Sequence, residues 1–130
     1  MGMRESTTAA KASILVVDDE ESVLTVVRSV LERAGYAVLV ASNGLAAMNI
    51  LKKEKCDLVL TDIVMPEQEG IETFQKIKHT YPDMKVIAMS GVPSRLDYLH
   101  LAHRLGANGT LEKPFTSNEL LTLLKNTLTS

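Results

Sequence analysis

The sequence predicts an α/β fold in which a parallel sheet of five strands is covered on both faces by helices. Three observations predict it. Short apolar runs of strand length alternate with longer segments whose apolar residues recur at helical spacing. The alternation occurs five times, with no internal repeat and no composition shift that would mark a second domain. Strands separated by helices pair in parallel through right-handed crossovers, which place helices on both faces of the sheet.

Each element has its own signal. Residues 1–13 are polar and small and read as a flexible tail, leaving 14–130 as one domain. Ile14 to Asp18 is the first strand. Glu20 to Ala34 is a helix with Val23, Val26, Val27, Val30, Leu31 and Ala34 on one face, acidic residues at its start and Gly35 after its end. Tyr36 to Ala41 is the second strand, and Asn43 to Glu54 a helix turning Ala46, Ala47, Ile50 and Leu51 inward. Asp57 to Asp62 is the third strand; Pro66 lies beyond it and cannot continue a ladder. Gly70 to Thr80 is a helix ended by Tyr81-Pro82, and Met84 to Met89 the fourth strand, followed by Ser90-Gly91. Ser94 to Leu105 is a helix and Thr110 to Glu112 a short fifth strand. Thr116 to Thr129 is the last helix, opened by the capping box Thr116 and Glu119.

Composition narrows the function. The chain has 130 residues, 45% hydrophobic and 23% charged, enough for a packed core. Its formal net charge of -2 supplies no basic stripe for direct nucleic-acid binding. No apolar run approaches the roughly 20 residues of a membrane-spanning helix. No secretory signal is present, and the single cysteine, Cys56, fits a reducing cytoplasm.

The chemistry-bearing residues fall at the carboxyl ends of the predicted strands. Asp18 and Asp19 end the first, Asp62 the third, Ser90 the fourth, and Lys113-Pro114 follows the fifth. Parallel strands bring all of them to one edge, where ligands bind in open α/β sheets. Clustered carboxylates raise one another's pKa, and a divalent cation relieves that cost. An all-oxygen site without a histidine or cysteine cluster suits Mg²⁺. Lys113 and Ser90 could then hold phosphoryl oxygens, leaving Asp62 as the nucleophile. His100 and His103, three apart on the fourth helix, read as surface residues. The apolar residues of that helix, Leu96, Tyr98, Leu99, Leu101, Ala102 and Leu105, exceed one stripe, which predicts a partner or dimer contact.

Taken together, Asp18-Asp19, Asp62 with Met65-Pro66 and Gly70, Ser90-Gly91, and Lys113-Pro114-Phe115 resemble the receiver domain of two-component response regulators, from about Ile14 to the C-terminus. The resemblance implies a flavodoxin-like sheet of order 2-1-3-4-5. It implies Asp62 as the phosphoacceptor, served by a sensor histidine kinase or a histidine phosphotransfer protein. It also implies Mg²⁺ held by Asp18, Asp19, Asp62 and the Val64 backbone carbonyl. Lys113 becomes the phosphate-binding lysine, with a cis bond to Pro114, and Ser90 the switch hydroxyl. The face formed by the fourth helix, fifth strand and fifth helix becomes the readout, to an effector or a second copy. The domain would assist its own phosphorylation and dephosphorylation without being a conventional enzyme.

Some positions depart from the family pattern. Thr110 stands where an aromatic switch residue is usual, and Glu69 where Asp is usual. Val64 and Val92 carry no polar atom to orient a hydrolytic water, so loss of the phosphoryl group would rely on the backbone or on a partner. Thr110 keeps an alternative open, a pseudo-receiver that binds partners without phosphorylation.

Overall fold

The computed structural model describes residues 11–64, 69–91 and 95–130. Its strands are β1 (Ser13–Val17), β2 (Ala37–Ala41), β3 (Leu58–Asp62), β4 (Lys85–Ser90) and β5 (Gly109–Glu112). Its helices are α1 (Glu21–Arg33), α2 (Gly44–Lys53), α3 (Glu69–Thr80), α4 (Arg95–Arg104) and α5 (Ser117–Thr129). The sheet runs β2-β1-β3-β4-β5 with every neighbouring pair parallel, the flavodoxin-like order expected.

Side chains alternate across the sheet, and the two faces build separate cores. Leu15, Val17, Val59, Val86 and Ala88 point to one face, where Ala47 and Leu51 of α2, Phe74 and Ile77 of α3 and Ala102 of α4 cover them. Ile14, Val16, Leu58, Leu60, Ile87 and Met89 point to the other, under Leu24, Val27 and Leu31 of α1 and Leu120 and Leu124 of α5. Strands buried on both faces explain the uninterrupted apolar runs of the sequence.

Helix ends follow local chemistry. The Asn43 side chain accepts from the Ala46 amide at 2.8 Å and opens α2. Thr116 and Glu119 form the reciprocal capping box at the start of α5. Gly35, at φ +98°, ends α1 in the left-handed region that glycine adopts without steric cost. Before β5, the Asn108 side-chain oxygen accepts from the Val86 amide at 2.9 Å and from the Lys78 ammonium at 3.3 Å, while the Asn108 backbone N–H donates to the Val86 carbonyl. This joins the end of α3 to the starts of β4 and β5.

The structure differs from the sequence expectation at several points. Val26 is 61% exposed, and Leu24 takes its place among the buried residues of α1. At 100° per residue, the buried stripe centred on Leu24, Val27 and Leu31 leaves Val26 a quarter-turn outside. β1 stops at Val17, although the Asp18 amide still donates to the Ala41 carbonyl. Asp57 precedes β3, where its carboxylate accepts from the Ser13 amide and its amide donates to the Ser13 carbonyl. β4 includes Ser90, and β5 starts at Gly109.

His100 and His103 are exposed, as expected. On α4, Leu101 is exposed and Ala102 buried. The first ten residues of the predicted tail, Met65, Pro66 and Val92, and the side chains of Glu69, Leu96, Tyr98 and Leu99 lie outside the described residues. Among the described residues, no helix is long and apolar enough to cross a membrane.

Candidate functional site

The register levels the carboxyl ends of the strands. Val17 pairs with Thr61, Asp62 with Met89, and Ser90 with Glu112, so the residues just past β1, at the end of β3 and β4, and just past β5 share one rim. Carboxylate oxygens of Asp18, Asp19 and Asp62 all come within 4.8 Å of one another. Asp18 and Asp62 are buried, whereas Asp19 is exposed.

Lys113 is the cation at the centre of this cluster. Its ammonium donates to Asp18 Oδ2 at 2.7 Å and to Asp62 Oδ2 at 2.9 Å, and Glu20 Oε1 lies 3.8 Å away. The second oxygen of each buried carboxylate is held by backbone. The Glu20 amide donates to Asp18 Oδ1 at 2.9 Å, and the Val64 amide to Asp62 Oδ1 at 2.8 Å. Both carboxylates are thereby fixed in orientation, with the Asp18 contact also ordering the start of α1.

The lysine is anchored through its main chain as well. Its amide donates to the Ser90 carbonyl at 2.8 Å, and the Lys113–Pro114 bond is cis, as expected. Ser90 Oγ is buried with no hydrogen-bond partner among the described residues. A buried hydroxyl without a partner is costly, and Ser90 Oγ stands free to donate among the described residues. Thr110 is half-buried at the centre of β5, opposite Ala88.

Charges in the site perturb one another. Burial raises the Asp62 pKa and outweighs the hydrogen bonds from Val64 and Lys113 that favour its charged form. For Lys113, burial pushes the pKa down, but hydrogen bonds to Asp18 and Asp62 and their charges together leave it raised. Three carboxylates around one ammonium retain an excess of negative charge. The donors are hard oxygens, the set that Mg²⁺ takes, and Lys113 already stands in as a cation among them.

A cleft of about 750 Å³ opens onto Asp62 and Lys113. One wall is apolar, from Val23 and Val26 of α1 and from Pro114 and Phe115; Val64 and Gly91 border the charged end. Every site residue named from the sequence therefore lies at this rim except Thr110, which sits lower in β5. Sequence reasoning missed Glu20 and the apolar wall. The run Asp18-Asp19-Glu20 held the signal for Glu20; the sequence held none for the wall, because helical spacing placed Val26 on the inward face whereas it is exposed.

Comparison with known proteins agrees with this geometry. The family model "Response regulator receiver domain" matches residues 14–125. Sporulation initiation phosphotransferase F of Bacillus subtilis (strain 168) is 35% identical over 115 residues, covering 88% of this chain and 92% of that protein. The alkaline phosphatase synthesis transcriptional regulatory protein PhoP of the same organism is 36% identical, over 82% of this chain and 44% of that protein. The DNA-binding transcriptional regulator NtrC of Azospirillum brasilense is 34% identical over 92% of this chain and 24% of its own length. The chain thus spans about a quarter of NtrC and under half of PhoP. Among solved structures, a response regulator receiver domain protein from Clostridium thermocellum superposes with a TM-score of 0.84 at 35% identity, covering 91% of this chain and 94% of that one. The sheet order, the acidic rim and these matches together place the chain in the response regulator receiver domain family of two-component systems.

Proposed function

We propose that Asp62 is a phosphoacceptor, taking a phosphoryl group from a histidine kinase or histidine phosphotransfer protein in a Mg²⁺-dependent step. The observation that supports it best is the setting of Asp62: a buried strand-end carboxylate held by an ammonium at 2.9 Å and an amide at 2.8 Å, beside two more carboxylates. A carboxylate oxygen of Asp62 attacks phosphorus, the P–N bond of the donor breaks, and the electron pair leaves with the imidazole. The product is an acyl phosphate on Asp62.

The chain's residues divide the work. The Val64 amide holds one oxygen of Asp62 and so presents the other. Lys113 stabilises the charge that moves from the donor onto the new phosphoryl group. Asp18, Asp19, Asp62 and the Val64 carbonyl would hold Mg²⁺, which when bound neutralises phosphoryl oxygens. The Ser90 hydroxyl, without a partner among the described residues, donates to a phosphoryl oxygen and draws the end of β4 toward Asp62. That movement biases the face made by α4, β5 and α5, where an effector or a second copy would bind. Thr110 holds the second switch position and offers no ring to relay the change.

The phosphoryl group is accepted on the protein itself, so the domain is a signalling component and no conventional enzyme. Its donor and its single cysteine fit a cytoplasmic setting. The test is intact-mass measurement after incubation with acetyl phosphate. The wild type should gain one phosphoryl mass with Mg²⁺ and none with EDTA, and Asp62→Ala should gain none. Equal labelling of wild type and Asp62→Ala would overturn the assignment. Complete resistance of the wild type, to acetyl phosphate and to phosphohistidine donors, would favour a phosphorylation-independent module.

A further inference from the structure

The acidic rim has a counterpart at the opposite edge of the sheet. Parallel strands also share their amino ends. The chain enters them with Lys11 shortly before β1, Tyr36 just before β2, Asp57 just before β3 and Lys85 as the first residue of β4. Helix α5 adds Lys125 and Thr129 from its last turns. Together these residues line a cavity of about 490 Å³, a size within the range of small-molecule sites, roughly 300–1,000 Å³.

The charge of this cavity runs against that of the chain. Ammonium groups of Lys11, Lys85 and Lys125 share the lining with a single carboxylate, Asp57, although the formal net charge is -2. That carboxylate is committed to the fold, because its Oδ2 accepts from the Ser13 amide at 2.7 Å. Among the described residues, no Asp or Glu side chain forms an ion pair with any of the three lysines.

Two of the lysines are positioned by uncharged partners instead. Lys85 Nζ donates to the main-chain oxygens of Leu128 at 3.1 Å and Ser130 at 2.9 Å, which leaves one of its three hydrogens unused among the described residues. The Lys11 ammonium lies 5.5 Å from the centroid of the Tyr36 ring, and its main-chain amide donates to the Gly35 carbonyl at 2.9 Å. Capping the last carbonyls of α5 accounts for Lys85. It gives no reason for Lys11 and Lys125 to line the same cavity without a counter-charge. Groups already held in place lose little freedom when a ligand arrives.

We propose that this cavity is a second anion site, which takes a phosphate-bearing ligand through Lys11, Lys85 and Lys125. The outer oxygens of a phosphoryl group can be shared among three ammonium groups, and lysine binds phosphate as a point charge that needs no planar alignment. The bound ligand ties the entry to β1, the start of β4 and the end of α5 together. It lies at the edge opposite Asp62, so the site is independent of Mg²⁺ and of phosphoryl transfer.

Titration with inorganic pyrophosphate in EDTA, followed by amide NMR and calorimetry, tests it. Without metal the acidic rim repels anions, so the two sites are not confused. Saturable shifts are expected at Lys11, Tyr36, Lys85 and residues 125–130, and none at Asp62. Lys11→Gln and Lys125→Gln, both at exposed positions, should each weaken binding about threefold, and the double variant about tenfold. Asp57→Asn keeps an oxygen for the Ser13 amide and should tighten binding by about threefold. Sedimentation with phosphatidylcholine vesicles containing phosphatidic acid separates the two sources of phosphate. Vesicle binding that is lost in the double variant assigns a lipid headgroup; pyrophosphate binding without vesicle binding assigns a soluble phosphate ester. Shifts no larger than those from sodium chloride at equal ionic strength, or an affinity unchanged in the double variant, overturn the proposal. Should the double variant fail to fold, the single variants decide by the same criterion.

Discussion

Burial raises the Asp62 pKa above its ordinary value despite the amide and ammonium bound to it. The sign of the consequence follows from proton linkage. The folded state binds the proton more tightly than the unfolded chain, so stability falls as pH rises from the ordinary carboxylate range through the folded pKa. At neutral pH the ionised side chain is a standing cost. Asp62→Asn should therefore raise the metal-free melting temperature at pH 7 by roughly 3 °C or more, and the gain should shrink as pH is lowered toward 4. Thermal denaturation across that range checks it. Ser90→Ala removes a buried hydroxyl with no partner among the described residues. It should leave the metal-free domain unchanged or more stable by up to about 1 kcal/mol, read by urea denaturation, while weakening any phosphorylation-linked change. Asp18, Asp19, Asp62, Ser90 and Lys113 were legible in the sequence because each ends or follows a strand. The approach of Glu20 to Lys113 was not, because it depends on the path of a long side chain far away in sequence, over which only the folded geometry decides.

Two elements carry the geometry of the site, and both can be weakened locally. The α5 capping box satisfies helix-end amides that packing does not reach. Thr116→Ala should cost about 1 kcal/mol by urea denaturation without altering phosphoryl transfer to Asp62. Gly70 opens α3 against the loop that follows Asp62. A Cβ there would lie 2.4 Å from the Ile63 carbonyl carbon and 2.6 Å from its oxygen, both backbone atoms that cannot swing away. Gly70→Ala should destabilise by about 3 kcal/mol or more and, by shifting residues 63 and 64, loosen the Val64 amide from Asp62. Denaturation and mass-detected phosphorylation would both fall. The capping box could be read directly from residue types three positions apart. The phase of α1 could not, because a valine-rich stripe competes with the leucine-centred one, and it is packing on the sheet beneath that buries Leu24 and leaves Val26 exposed.

Across the whole molecule, the site unites residues 95 positions apart, Asp18 and Lys113. A cation bound at this rim, as proposed, would therefore stabilise almost the entire chain. Mg²⁺ at a hundred times its dissociation constant should add about 2.7 kcal/mol to wild-type stability. The rise in melting temperature on adding Mg²⁺ should be lost in Asp19→Asn, whose exposed carboxylate is the least used by the metal-free fold. Periodicity alone indicated five parallel strands with helices on both faces. It did not indicate which strands are neighbours; that order came with the family resemblance, because alternating βα units are compatible with several sheet orders.

The solitary Ser90 hydroxyl also bounds how large a conformational bias this domain can generate through it. Engaging a buried, unsatisfied donor recovers about 1–3 kcal/mol, the amount its isolation costs. On a two-state equilibrium that corresponds to a population shift of about 5- to 150-fold. No internal acceptor among the described residues is given up in the exchange, so on the proposed reading hydrolysis of an acyl phosphate at Asp62 would return the same amount. Under that proposal the domain would suit graded, reversible occupancy, and a partner needing a larger shift would have to add its own binding energy.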